Sequence, residues 1–190
     1  MTTAVRPVSP VTPAVRPLPD GGWLLTLPLR VNFGKKGNRA TPAVPSKNEA
    51  GSGENRHIYA GRRDALKDIL ATLLAVAQPK RPYLRVRTIR VGIVMAHITE
   101  CCVFYRADLT LTLYHPTRNI LRSDHHNWIS GAAALFDAIE ISGWVVNDQN
   151  LTIAEPVLEV DRHRPRIEVT LRPCVSRGVE SDAGERGGAG

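Results

Sequence analysis

The stretch from Arg122 to Asp148, RSDHHNWISGAAALFDAIEISGWVVND, constrains this chain more than any other. Trp128, Ala132, Leu135, Phe136 and Ile139 recur at i, i+4, i+7, i+8 and i+11, the apolar stripe of a helix with one buried face. Ser130, Asp137 and Glu140 fall off that stripe. Asn127 suits the N-cap, and Gly143 suits a left-handed C-terminal cap. A helix from Trp128 to Ser142 would climb roughly 22 Å at 1.5 Å per residue. A chain that reverses at Gly143 and runs back extended through GWVVND would cover roughly 20 Å. The two lengths nearly cancel, so Asp148 is expected at the level of Asp124, near the positive end of the helix dipole.

Two carboxylates with imidazole and amide neighbours suit a divalent metal that must engage phosphate. Hard oxygen ligands select Mg²⁺ or Mn²⁺, and such an ion can activate water for phosphodiester cleavage. The same residues also fit structural roles, since an Asp before a helix caps it and Asn-Asp after a strand makes a turn. The neighbouring His125 and His126 do not make a zinc site, because adjacent side chains diverge and no further nitrogen or sulfur ligands are spaced for one.

The order R-x-D-x-x-N, an Ala-rich helix with F-D-A-I, then G-W-V-V-N-D, resembles the RusA-type Holliday junction resolvases of bacteria and phages. The likeness is dense from about Arg122 to Asp161 and looser upstream. It implies a small dimeric endonuclease that cuts four-way DNA junctions with Mg²⁺. The family's acidic site is D-x-D-N before the helix and a further Asp after it. By position, the resemblance assigns Asp124, His126 and Asp148 to catalysis and metal binding, with Asn127 as the Asn. His126 stands where the family has an acid, which shifts the metal preference toward Mn²⁺. The family's Lys early in the helix is missing, and no Lys or Arg occurs between Arg122 and Arg162.

A net charge of +7 and a pI near 9.8 suit a polyanionic partner, nucleic acid first. Lys35, Lys36 and Arg39, in a polar loop from Asn32 to Glu54, and Arg122 are the candidate DNA contacts. Arg62 and Arg63, which read better as a solvated helix face, and the DRHRPR run near Arg164, equally readable as a solvated turn, are others. Cys101, Cys102 and Cys174 form no C-x-x-C, and no signal peptide or membrane-length apolar run is present. A cytoplasmic protein without a membrane partner is the expectation.

The rest of the chain predicts an α/β (α+β) fold, a small mixed sheet of four or five strands packed with two main helices. Residues 1–20 are Pro-rich and read as a tail, 21–175 as one domain, and 176–190 as a Gly-rich tail. Period-two alternation marks a strand from Trp23, with Pro28 at a sheet edge or strand end. Gly61 to Ala77 reads as a helix stopped by Gln78-Pro79. Leu84 to Ile98 and Val103 to Tyr114 are strands expected to form a hairpin around Thr99-Glu100, with Gly92 as a bend. Ile89, Val91, Ile93 and Met95 are expected on one face of the first. His115 reads as a strand-end turn residue or an extra ligand. Pro156 to Val160 and Arg166 to Leu171 are expected to close a terminal hairpin.

Overall fold

Three rungs of side chains hold the main sheet together. Leu27, Ile167 and Leu113 lie side by side, as do Leu25, Val169 and Leu111, and then Trp23, Leu171 and Leu109. All but Trp23 are essentially inaccessible to water. The residues between them, Thr26, Glu168 and Thr112 among others, face the other way and are partly exposed. This alternation is the signature of a sheet with one covered and one wet face. Each fully buried Leu or Ile here contributes about 1.5–3 kcal/mol.

The computed structural model describes residues 11–33, 39–45, 56–91, 93–122 and 125–174. The elements in chain order are β1 (Ala14–Pro17), β2 (Trp23–Pro28), β3 (Arg30–Phe33), β4 (Arg39–Pro42), α1 (Arg56–Ala77), β5 (Tyr83–Val91), β6 (Val94–Cys102), β7 (Ala107–His115), α2 (His125–Gly131), α3 (Ala133–Ile141), β8 (Leu151–Ile153), β9 (Val157–Val160) and β10 (Arg166–Pro173). The six-stranded sheet runs β1-β2-β10-β7-β8, with β9 also paired to β7. β8 and β9 are parallel to β7, and the other pairings are antiparallel. β3 pairs with β4, and β5 with β6, as separate two-stranded ribbons. The fold is mixed α+β, as the sequence pattern predicts, with one more strand in the main sheet than expected.

α1 and α3 cover the dry face. Arg62, Leu66, Leu70, Leu73 and Leu74 of α1 are buried, as are Ala134, Leu135, Ala138 and Ile139 of α3. Tyr59 donates its hydroxyl hydrogen to Asp137 at 2.8 Å, tying the two helices. α1 ends where Gln78 adopts a φ of 45° ahead of Pro79. It begins five residues earlier than the Gly61 start predicted.

Several expectations are corrected. β1 lies inside the segment read as a tail and pairs with β2 from Ala14↔Thr26 to Pro17↔Trp23. β2 is not an edge strand but does end at Pro28, as the second of the two expectations had it, and Pro28 sits beyond the end of β1. The polar loop from Asn32 contains β4, which returns on β3. The strands reverse between Val91 and Val94, which pair, and Thr99-Glu100 lies within β6, while the bend expected at Gly92 lies outside the described residues. That reversal puts Met95 on the opposite face from Ile89. β9 and β10 do not form a hairpin: β7 lies between them and pairs with both. Leu158 and Ile167 both need the buried position beside Leu113, and insertion of β7 supplies one to each.

The helix between β7 and β8 is broken. Ala132, with φ −83° and ψ 0°, separates α2 from α3. At the break the backbone of Pro45 crosses close over Gly131, and a Cβ there would stand 1.7 Å from the Pro45 carbonyl oxygen. The far end closes with a Schellman motif. Trp144 N–H donates to Ile139 O, Gly143 N–H donates to Glu140 O, and Gly143 has a φ of 88°. Trp144 is then fully buried. Its Nε1–H donates to the Leu70 carbonyl at 3.1 Å, and its ring meets Trp23 edge-on at 6.0 Å.

Two glycine substitutions should therefore differ in cost. Gly143→Ala has room, its nearest neighbour being Cys101 O at 3.4 Å, so it carries only the left-handed backbone penalty of about 1–2 kcal/mol. Gly131→Ala forces backbone away from backbone and should cost more, at or beyond the usual ~3 kcal/mol of overpacking. Urea midpoints of the two variants check the order.

Candidate functional site

The chain leaves β7 at His115 and passes through a single 3₁₀ segment, Arg118–Arg122, before entering α2 at His125. The 3₁₀ segment lies on β9, because Ile120 is 3% exposed and the two elements pack. Between them is a groove of about 350 Å³ lined by Leu121, His125, Glu155, Pro156, Val157 and Leu158. His125 Nδ1 lies 2.6 Å from Glu155 Oε1. One histidine of the pair thus meets an acid, and that acid is Glu155, which sequence reasoning passed over. Its only signal was its place just before β9.

Asp148 lies elsewhere. The segment after Gly143 docks on Val103-Phe104, where Val103 N–H donates to Gly143 O and Val146 N–H donates to Phe104 O. Asn147 then accepts the Gln149 amide hydrogen at 2.8 Å and starts the 3₁₀ turn Asp148–Asn150. The extended run stops there. Asp148 N–H donates to Glu140 Oε2 at 3.1 Å, in the last turn of α3. The expected return of this aspartate to the level of the helix opening is therefore corrected. The return continues through β8, and the chain meets His125 at Glu155.

Arg85 charges this far end. It is 6% exposed, pairs with Glu100, and donates through Nη1 to the Glu140 carbonyl at 2.6 Å. A cation on the last carbonyls of a helix also complements its dipole. Glu140 Oε1 is 3.7 Å from the same Nη1.

Asp124, Lys35 and Lys36 lie outside the described residues, as do the side chains of Arg39, Arg122, His126 and Asn127. Asn127 falls third in α2, so it is not the N-cap expected. Among the described residues no three His, Cys, Asp or Glu side chains converge as a metal group. Carboxylate and imidazole donors such as Asp124, His126 and Asp148 are the right chemistry for Mn²⁺. His115 accepts the Thr117 amide hydrogen at 3.2 Å, the strand-end turn role.

The basic candidates divide by burial. Arg62 is 3% exposed and donates to Thr41 Oγ1, so it is a core residue. Arg166 stacks over Tyr114 at 3.6 Å and bonds Asp161 and Glu168, each at 2.7 Å. Arg162, His163 and Arg164 are exposed in the crossing from β9 to β10. Arg118, which the sequence reading did not single out, is exposed in the loop leaving β7. Since Val160 pairs with His115, both loops leave the same end of the sheet.

No protein-family model matches this chain, and no curated protein is significantly similar to it. Among the described residues, no helix is long and apolar enough to cross a membrane.

The β9–β10 crossing should be acid-sensitive. The Arg164 amide bonded to Asp161, with help from His163 and Arg166, holds the Asp161 carboxyl below its ordinary 3.8. A depressed folded value gives stability that is full above 3.8 and is lost as pH falls through the folded value. The stability gap between wild type and Asp161→Asn should be constant from pH 7 to about 5 and shrink below 3.8. Urea unfolding across that range measures it.

Proposed function

We propose that this chain is a metal-dependent endonuclease for branched DNA, of the RusA type, acting on four-way junctions as a homodimer in the cytoplasm. One observation carries the reading. The loops leaving β7 and β9 at one end of the sheet hold exposed Arg118, Arg162 and Arg164, and from that end the chain enters the S-D-H-H-N box that opens α2. Cations there would seat a phosphate backbone across the helix opening.

Mg²⁺ or Mn²⁺ held by Asp124, His126 and Asp148 would supply the activated water and stabilise the leaving oxygen. For all three to share an ion, Asp148 would have to leave its seat on Glu140. The arginines position the scissile strand, and hydrolysis leaves a 5′-phosphate and a 3′-hydroxyl. Lys35, Lys36, Arg39 and Arg122 add phosphate contacts.

A junction-binding protein with little nuclease activity is the second reading. The seat of Asp148 on Glu140, and the missing Lys of the helix, favour it.

Junction cleavage with Mg²⁺ and Mn²⁺ tests both. Asp124→Asn and Asp148→Asn should each slow cleavage by at least roughly 100-fold, beyond what losing an outer-sphere partner costs, with binding retained. Joint replacement of Arg118, Arg162 and Arg164 by Ala should weaken binding and flatten its salt dependence by about 0.9 in log–log slope per lost phosphate contact. Tight binding with no cutting under either metal would favour the second reading.

A further inference from the structure

The ribbon of β5 and β6 is a separate feature. Its nine pairs, from Tyr83↔Cys102 to Val91↔Val94, make an arm about 30 Å long. Among the described residues the two strands pair only with each other. A lone two-stranded ribbon is marginal in water, so its outer part gains from a partner. Residues 80–102 hold five cations, Lys80, Arg81, Arg85, Arg87 and Arg90, against one acid, Glu100. The arm and the segment leading into it thus carry +4 of the chain's net +7.

The register divides the arm into two unlike faces. Arg85, Arg87 and Ile89 share one with Glu100 and Ile98. That face is tied down, because Arg85 bonds the end of α3 and Glu100 pairs with both arginines. The opposite face runs from Leu84 to Arg90 on β5 and from Met95 to Cys101 on β6, and every residue on it is exposed. Thr88, Arg90, His97 and Thr99 are its hydrogen-bonding side chains, and it bears no Asp or Glu. Val86 and Met95 lie among them, 66% and 60% exposed. The apolar tip is off this face, since Val94 belongs to the face of Arg85 and Ile93 stands in the turn.

An acid-free face on a cationic ribbon complements a polyanion. Its dimensions narrow the polyanion to a duplex. The major groove of DNA is about 12 Å wide and admits a two-stranded ribbon. Side chains on one face of a strand recur every ~6.8 Å, near the rise of two base pairs. Arginine bonds guanine edges or phosphates, threonine bonds any base edge, and apolar groups such as Val86 and Met95 pack on thymine methyls. With DNA as the partner taken from the nuclease reading, and nothing taken from its metal chemistry, we infer that the β5–β6 arm lies in the major groove of duplex DNA with the face of Arg90 and His97 turned to the bases. The foot of the arm is at the last turn of α3, away from the S-D-H-H-N box, so the arm holds a duplex limb at a distance from the bond to be cut.

Guanine N7 reports on this groove. Wild-type protein on a linear duplex should shield N7 from dimethyl sulfate over about nine base pairs, the length of the arm. Replacing residues 88–97 by Asn-Gly closes the ribbon after Arg87↔Ile98 and keeps the Arg85 anchor. This short-arm variant should lose the shielding and bind duplex at least roughly tenfold more weakly, with an unchanged near-ultraviolet tryptophan spectrum. Should it misfold, the double variant Arg90→Ala, His97→Ala replaces it with the same expectation. A chain that cuts no junction under either metal, yet loses duplex affinity with the short arm, sinks the nuclease reading and keeps the arm. A chain that cuts junctions while its short-arm variant binds and shields duplex like the wild type does the reverse. A wild type that shields no N7, or a short-arm variant that loses only contact with another protein, would also overturn the proposal.

Discussion

Trp144 is the contact through which the parts of this molecule hold each other. Its position is set by the left-handed Gly143 that closes α3, and its indole reaches the middle of α1 through the Leu70 carbonyl. The ring edge rests on Trp23 at the start of β2, while its carbonyl takes the Phe104 amide hydrogen just before β7. Helix stop, helix packing, sheet and ribbon base thus meet at one residue. A phenylalanine there would fill most of the space and leave the Leu70 carbonyl short of a donor.

Charge plays the matching role at the surface of that junction. Arg85 brings the foot of the β5–β6 arm onto the exposed carbonyls of α3, and Glu100 and Glu140 balance it. The 6% exposure of Arg85 matters, because a buried guanidinium left without these partners would be costly. The arm is therefore held in a defined direction at its base.

What could be read from the residues was local. Alternation in Trp23–Leu29 and Leu109–Leu113, the stripe of α1 and the cap at Gly143 all follow from neighbours a few positions apart. What could not be read was partnership. Val157–Val160 and Arg166–Leu171 look like a hairpin because hairpin signals are local, yet the demand of Leu158 and Ile167 for Leu113 separates them. Counting lengths placed Asp148 at the helix opening on the premise that GWVVND runs back along the helix, whereas that segment docks on Val103-Phe104 and leaves Asp148 beside Glu140. Arg62 looked solvated because charge dominates its neighbourhood in sequence, while its helical phase with Leu66 and Leu70 took it inside. Of the acidic residues named for catalysis, Asp148 has a described position and Asp124 does not, so the sequence motif still carries most of that assignment.

The insertion of β7 between β9 and β10 has a consequence for biogenesis. Synthesis delivers β7 well before either of its flanking strands, and β2, made earlier, reaches it only through β10. During translation β7 therefore keeps one edge unsatisfied until β10 emerges, even after β8 and β9 have paired with the other. A chain cut short before Arg166 would leave β1–β2 and β7–β9 as two disconnected halves, each with a bare edge. Assembly of the sheet thus waits for β10, whose eight residues join the two halves.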